Sequence, residues 1–337
     1  MRMQTCIPVA EISQVGEVRR AAVRVAAALH ADETTCGEVA IVATELASNL
    51  VKHAKGGRIL LQPVTHAEET AIELVALDTG PGMVDAHKCF ADGYSSRGTP
   101  GTGLGAVRRL SHVFDVYSSP TTGTVLVSRI RTAKKGADRA PAFAVGCVSI
   151  PAPYESVCGD AWSVAERNGD IAVMVADGLG HGPLAAEASQ RAIDTFDHMP
   201  FADAGALFDR VHQALISSRG AAVASAQVVG RTLRYTGIGN ISGTLLAGDE
   251  RRGLLTQNGT VGLQPRRAQP VEYPWPDRGV LVMHSDGLTS RWALDAYPGL
   301  LARHPAVVAA VLYRDFLRGR DDATVVVVGK ERVARTS

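Results

Sequence analysis

Acidic residues close or open long apolar runs at four places in the second half of the sequence. Asp160 follows Cys158-Gly159, Asp177-Gly178 ends the run IAVMVA, Ser285-Asp286-Gly287 ends GVLVMH, and Asp321-Asp322 precedes ATVVVV. One acid at a strand end is ordinarily a turn residue. Four sets at the edges of one core point to a converging cluster. Carboxylates gathered in one place repel unless a cation balances them. An all-oxygen donor set favours Mg2+ or Mn2+ over zinc. Two such ions can hold a water, lower its pKa, and bind the oxygens of a phosphoryl group during in-line attack. His181, close by in Leu179-Gly180-His181-Gly182, either shapes that turn or shuttles protons. Cys158 lies beside Asp160, but no base accompanies it to make a thiol nucleophile.

The first half carries a different set. Glu45 and Asn49 are four residues apart and share one helix face, and a further step of four reaches His53. Taken alone, such a pair is also what a solvated helix face looks like. Asp78-Thr79-Gly80-Pro81-Gly82 then follows an apolar stretch, so an acid at a strand end enters a tight turn. An aspartate there can accept a hydrogen bond from the exocyclic amine of adenine. Next comes Gly98-Thr99-Pro100-Gly101-Thr102-Gly103-Leu104-Gly105. Glycines let backbone approach phosphates closely, and the helix that follows presents free N–H groups. No lysine follows as in a P-loop, and no βαβ unit surrounds the run. The order acid-Asn helix, DxGxG, GxGLG is far more specific than any of its parts.

These residues need elements to hold them. Helical spacing predicts helices over 17–30 and 36–54, the second stopped by Gly56-Gly57. Strands are expected over 58–64, 71–77 and 124–130, and a glycine loop turning into a helix over 101–110. This gives an α+β unit with helices on one side of a sheet. Residues 131–141 (RTAKKGADRAP) are polar, basic and aperiodic, which reads as a domain linker or an ordered surface loop. Beyond it, strands are expected over 142–150, 161–167, 171–176, 222–229, 233–238, 242–246, 279–284 and 323–328. Helices are expected over 184–196, 202–218 and 305–317. Many strands with two pairs of helices suggest two stacked sheets flanked by helices.

Composition fits this plan. A chain of 337 residues suggests two domains, and 46% hydrophobic with 20% charged residues is globular. Lys plus Arg is 35 against 34 Asp plus Glu, a formal net charge of +1, so no charge excess drives nucleic-acid binding. Five cysteines without a CxxC pair fit a reducing cytosol. No apolar run has the length of a signal peptide or membrane span, so a cytoplasmic protein without membrane insertion is expected.

The first constellation resembles the GHKL family of ATP-binding domains. Its first box is similar to ELASNLVKHA at 45–54, and GYSSRGTPGTGLGAVRRL at 93–110 is especially similar to the small anti-sigma serine kinases of that family. The resemblance covers about residues 8–130 and implies the GHKL (Bergerat) α/β sandwich. It implies Asn49 as the Mg2+ ligand bridging the triphosphate of ATP, and Asp78 as the adenine contact with Gly80 and Gly82 beside it. Gly101, Thr102, Gly103, Leu104 and Gly105 are implied in the phosphate loop. Glu45 would then contact the nucleotide site as the base for an attacking serine hydroxyl. Arg97, Arg108 and Arg109 are candidates for added positive charge, with a solvated helix face as the alternative for the last two.

The second constellation resembles the PPM family of metal-dependent Ser/Thr phosphatases in its bacterial SpoIIE-type branch. The similar motifs are Gly159-Asp160, ADGLGHG at 176–182, GIGN at 237–240, SDGL at 285–288 and RDDAT at 320–324. The resemblance covers about residues 142–330 and implies an α-β-β-α sandwich holding two Mn2+ or Mg2+. It implies that Asp177 bridges both metals and Gly178 offers a backbone carbonyl. Asp160, Asp286 and Asp321 or Asp322 complete the shell, with Asp321 favoured, and Asp177 and Asp286 count as catalytic. Together the resemblances imply domains at 1–130 and 142–337, one adding phosphate to protein and the other removing it. The implied partners are STAS-domain anti-anti-sigma or stressosome-like proteins, with a downstream phosphatase or sigma regulator beside them. The alternatives are a phosphatase whose ATP domain only senses nucleotide or binds a partner, and a non-enzymatic anti-sigma switch.

Overall fold

The computed structural model describes residues 4–66, 69–83, 103–132, 141–263 and 267–331. The chain divides into two compact units, Arg2–Asp138 and Arg139–Ser337. Most of the expected linker, residues 133–140, lies outside the described residues, while Arg131 closes a strand.

The first unit runs β1 (Thr5–Val9), α1 (Ile12–Ala28), α2 (Glu33–Asn49), a π-helical turn (Leu50–Ala54), β2 (Gly57–His66), β3 (Glu69–Leu77), α3 (Gly103–Leu110), β4 (Val113–Ser119) and β5 (Gly123–Arg131). Its antiparallel sheet has the order β1-β2-β3-β5-β4. The edge strands β1 and β4 were not expected. Pro8 has no N–H to donate, which suits an edge and disguises the strand. α1 begins five residues early because Gln14 Oε1 accepts the Glu11 N–H at 2.9 Å and caps the turn. Val18, Ala22, Val42 and Leu46 of the helices pack against Ile59, Leu61, Ile72 and Leu74 of the sheet. The opposite sheet face carries a buried polar row. Gln62 Nε2 donates to Glu73 Oε1 at 2.7 Å, and Arg129 Nε donates to Glu73 Oε2 at 2.6 Å.

The second unit runs β6 (Phe143–Ile150), β7 (Asp160–Arg167), β8 (Asp170–Gly178), α4 (Pro183–His198), α5 (Ala204–Leu215), β9 (Ala221–Val229), β10 (Thr232–Ile238), β11 (Ser242–Ala247), β12 (Glu250–Gly253), β13 (Val271–Pro274), β14 (Val280–His284), α6 (Pro305–Phe316) and β15 (Ala323–Lys330). Two five-stranded sheets, β13-β10-β9-β8-β7 and β12-β11-β14-β15-β6, face each other. Val173, Val175 and Tyr235 of the first meet Leu281, Met283 and Val326 of the second. The alternate residues of β8, Met174 and Ala176, pack outward on Phe196 and Phe208 of α4 and α5. Strand β8 is covered on both faces, so its sequence is one unbroken apolar run.

α6 covers the other sheet over β6 and β15, which makes the four layers α-β-β-α. Two pairs of helices were expected. Among the described residues this face carries α6 and only a short 3-10 turn, Leu300–Ala302. Pro298 and Gly299, the latter at φ +77°, interrupt any longer helix before it. No helix among the described residues is long and apolar enough to cross a membrane.

α6 lies very close to β6. A Cβ placed on Gly146 would stand 2.0 Å from the Ala306 nitrogen. Gly146→Ala must therefore push α6 off the sheet. We expect it to cost about 3 kcal/mol, read as an earlier thermal transition of the second unit.

Candidate active sites

α2 starts at Asp32, whose Oδ1 accepts the Thr35 N–H at 2.7 Å, and it carries Glu45 and Asn49 on one face. The helix then widens into the π-helical turn and ends at Lys55, which is left-handed at φ 59°. A π-turn directly after Asn49 re-aims the helix end, and such turns recur at functional sites. Asn49 Nδ2 is buried with no hydrogen-bond partner among the described residues, an amide that a ligand would satisfy. Gly103, the first residue of α3, lies against Glu45: a Cβ on it would stand 2.4 Å from Glu45 Oε2. The structure thus brings the α2 carboxylate to the amino end of the glycine-led helix. Gly105 is buried and Leu104 packs on the core. Gly101, Thr102 and Arg97 lie outside the described residues.

Asp78 leaves the end of β3. Its Oδ1 accepts the Gly80 N–H at 2.8 Å and the Thr124 N–H at 3.2 Å. These two bonds hold the carboxylate at the strand end, with Gly80 packed on Ala54 below the π-turn. Gly82 takes φ +62°, and a Cβ there would meet the Ser119 carbonyl at 2.2 Å. Thr124, which anchors Asp78 from 46 residues away, left no signal in the sequence. Arg108, Arg109 and His53 are exposed, and the two arginines lie on the outer side of α3.

In the second unit, Asp160 and Asp177 are direct cross-strand partners on β7 and β8. Ser285 Oγ donates to Asp160 Oδ2 at 2.6 Å and accepts the Thr324 N–H at 3.0 Å, which ties the two sheets together here. Asp286 Oδ2 accepts from Asn240 Nδ2 at 2.8 Å. Asp322 is buried, and its Oδ1 accepts the Ala152 N–H at 2.8 Å. Asp321 is exposed. An open polar cavity of about 470 Å³ is lined by Asp177, Asp286 and Asp321 together with Asn240, Asn258 and Thr260. Asp160 and Asp322 stand behind this wall. No three acids among the described residues already close on one point as a finished ligand set.

Gly178 sits beneath α4, where a Cβ would meet the Ala185 carbonyl at 2.0 Å. His181 is exposed, and its Nδ1 lies 2.6 Å from Glu155 Oε1, so it secures the loop after β8 to the loop before β7. The turn at Ser285 has its own support. Trp292 Nε1 donates to His284 Nε2 at 3.1 Å, which leaves His284 Nδ1 to donate to the Ser285 carbonyl at 2.8 Å. Burial lowers the His284 pKa and keeps the ring neutral. The Arg251 guanidinium stacks 4.0 Å from the Trp292 ring centre. Asn240 was visible in the GIGN motif, but its bond to Asp286 was not.

Charge crowding shows in the titration of these acids. Burial pushes the Asp177 carboxyl up to about 9, helped by Asp160, Asp286, Asp321 and Asp322. Burial likewise pushes Asp160 up to about 7, against the stabilising bond from Ser285. Asp322 is raised by burial too, although the Ala152 N–H works the other way. Cys158 is raised by burial and by the charges of Asp160 and Asp322, so its thiol stays protonated and is no nucleophile.

These directions predict the behaviour of the metal-free protein. The folded state holds protons that the unfolded chain has already lost. Stability is therefore full below about pH 4 for these groups and falls as pH rises through about 7 and then about 9. Thermal unfolding between pH 5 and 9 in the presence of a chelator is expected to show a falling Tm of the second unit, and Mn2+ is expected to abolish the fall. A Tm that rises over this range without metal would contradict the crowding.

Comparison with known proteins agrees with this division. Residues 9–130 match the family model of the histidine kinase-like ATPase domain, and residues 167–331 match that of Stage II sporulation protein E (SpoIIE). The N-terminal unit thus matches a histidine kinase-like ATPase domain and is similar to RsbT, and the C-terminal unit matches SpoIIE and is similar to RsbX. Serine/threonine-protein kinase RsbT of Bacillus subtilis (strain 168) is 29% identical over 124 residues, 37% of this chain and 93% of that protein. Phosphoserine phosphatase RsbX of the same organism is 26% identical over 137 residues, 40% of this chain and 69% of that protein. Among solved structures, one described as "The bacterial stressosome: a modular system that has been adapted to control secondary messenger signaling" superposes with a TM-score of 0.51. It is 26% identical and covers 55% of this chain and 98% of its own. RsbX in complex with magnesium gives a TM-score of 0.50 at 21% identity, over 57% of this chain and 98% of that one, a likeness of fold.

Proposed function

We propose that the chain is a bifunctional regulator of a partner-switching pathway. Its N-terminal unit is an ATP-dependent Ser/Thr protein kinase, and its C-terminal unit is a dimetal Ser/Thr phosphoprotein phosphatase. The observation that carries the reading is the meeting of acids from two sheets at one polar cavity: Asp177 from β8, and Asp286 and Asp321 from the strand ends of the other sheet. The domains are assigned to residues 1–130 and 142–337, joined by a linker at 131–141.

The donor sets fit the groups. In the second unit all donors are oxygens, and Asp177 is strongly protonated without a cation. Asp177, Asp286 and Asp321 with the Gly178 carbonyl would hold two Mn2+ or Mg2+, and Asp160 backs them from β7. Asp322 braces the loop at Ala152 in this reading rather than serving as a direct ligand. Bound there, the ions supply an acidified water and neutralise charge on the phosphoryl group. Asn240 orients Asp286, and Ser285 orients Asp160.

In the first unit the buried amide of Asn49 and the amino end of α3 fit Mg-ATP. Asp78 would receive the adenine amine. Gly80 and Gly82 shape that wall, and Gly101, Thr102, Gly103, Leu104 and Gly105 would cradle the phosphates. Glu45 takes the proton of the attacking serine hydroxyl. The likeness to RsbT and RsbX supports STAS-domain, stressosome-like proteins as the partners on which both activities meet. Fusion raises the local concentration of each activity at such a complex.

The test is to mix the full chain carrying Asp177→Asn with Mg-ATP and the STAS-domain proteins of the same organism, and to read intact mass. A phosphate adduct that the unsubstituted chain with Mn2+ then removes is the expected result. No adduct, despite measured ATP binding, would overturn the kinase half and leave a phosphatase with a nucleotide-sensing domain.

A further inference from the structure

The cavity in the second unit is lined by three acids and by neutral residues, and among the described residues none of its lining carries a positive charge. The only charged side chains among the described residues of that lining are the carboxylates of Asp177, Asp286 and Asp321. A phosphate ester dianion finds no basic side chain among those lining residues to hold its oxygens. A basic side chain next to the lining could hold them.

Arg219 lies beside one of the lining residues, Gly180. It lies between α5 and β9, and its side chain is exposed. A Cβ on Gly180, itself a lining residue, would lie 3.1 Å from Arg219 Nη1. The backbone beneath it is pinned. Leu179 N–H donates to the Gly220 carbonyl at 3.0 Å, so the loop after β8 lies beside the one carrying Arg219. Gly220 N–H donates to Ser218 Oγ at 3.0 Å, and Ser218 Oγ donates to the Leu215 carbonyl at 2.7 Å. No carboxylate among the described residues forms an ion pair with Arg219, so its guanidinium is available to an anion.

We infer that Arg219 is the phosphate clamp of the second unit: its guanidinium reaches over Gly180 and holds the phosphoryl oxygens of a phosphoserine or phosphothreonine side chain facing Asp177 and Asp286. This rests on the phosphatase reading above. A planar fork suits two phosphoryl oxygens at once, and a lysine supplies only a point charge.

The test uses the full chain with Mn2+, p-nitrophenyl phosphate as substrate and inorganic phosphate as inhibitor. Arg219→Ala is expected to raise KM and the phosphate inhibition constant together, each by about tenfold, with kcat within about twofold. Arg219→Lys is expected to recover part of both. A side chain that only supported the loop would lower kcat or Tm and leave phosphate inhibition unmoved. Turnover by the unsubstituted chain with unchanged KM and inhibition in Arg219→Ala overturns the clamp alone, as does a lysine variant no better than alanine. No turnover and no phosphate binding by the unsubstituted chain overturns the phosphatase reading, and the clamp with it.

Discussion

Asp177→Asn is expected to abolish metal-dependent phosphoprotein hydrolysis, by roughly a thousand-fold or more, while raising the Tm of the metal-free protein. Both effects come from the same crowding. Asp177 sits opposite Asp160 across the β7–β8 ladder and feels Asp286, Asp321 and Asp322 as well. Its carboxyl is held up to about 9 in the metal-free fold, chiefly by burial. Asparagine keeps the shape and removes a charge that the folded protein must otherwise neutralise. Each kcal/mol of relief corresponds to a rise of about 2–4 °C in a domain of this size. The stabilisation should grow from pH 5 to pH 9, because the unsubstituted protein loses stability over that range. Calorimetric titration with Mn2+ should show weakened binding. Differential scanning with chelator, at pH 6 and pH 9, checks the other half. A variant that loses activity and also melts earlier without metal would mean that Asp177 is a structural acid in a hydrogen-bonded turn.

The second large effect is expected at the other site. Glu45→Gln should cut phosphoryl transfer to partner protein by about 10²- to 10⁴-fold, with nucleotide affinity little changed. Asn49→Ala should lose both transfer and Mg2+-dependent ATP binding. The difference follows from position. Glu45 lies against Gly103 at the start of α3, where an attacking hydroxyl would meet the phosphates, and its amide isostere fills the same space. The buried amide of Asn49 has no partner among the described residues, so in the proposed reading its removal deletes a ligand contact and none of the internal bonds described. Fluorescent-nucleotide titration and intact-mass kinetics separate the two. Equal loss of ATP binding in both variants would place Glu45 in nucleotide binding and deny it the role of base.

The chemistry was easier to read along the chain than the geometry. The glycine run, the acid-Asn helix and the four acidic strand ends are local patterns, and they stand wherever the chain folds. β8, β14 and β15 were equally plain, because strands buried on both faces must be apolar throughout. The edge strands β1 and β4 were not legible. An edge needs only half its ladder, so short, polar or proline-bearing segments serve. The second helix of the outer layer was over-read, since Pro298 and Gly299 leave only a 3-10 turn there.

By itself the sequence determined that this is a two-part α+β protein with a glycine-rich nucleotide signature in one half and acids at strand ends in the other. The tertiary structure decided which acids share a cavity. Asp321 and Asp322 are neighbours in the chain, yet one is exposed at the cavity wall and the other is buried against Ala152. Successive residues beside a strand point to opposite sides, so one peptide separates a position on the cavity wall from a buried brace. Thr124 on Asp78, Ser285 on Asp160, Asn240 on Asp286 and Arg219 beside Gly180 are likewise products of folding. Each pairs residues about 40 to 125 positions apart. No local periodicity encodes such a pairing, because it depends on which strands the burial of the two cores brings side by side.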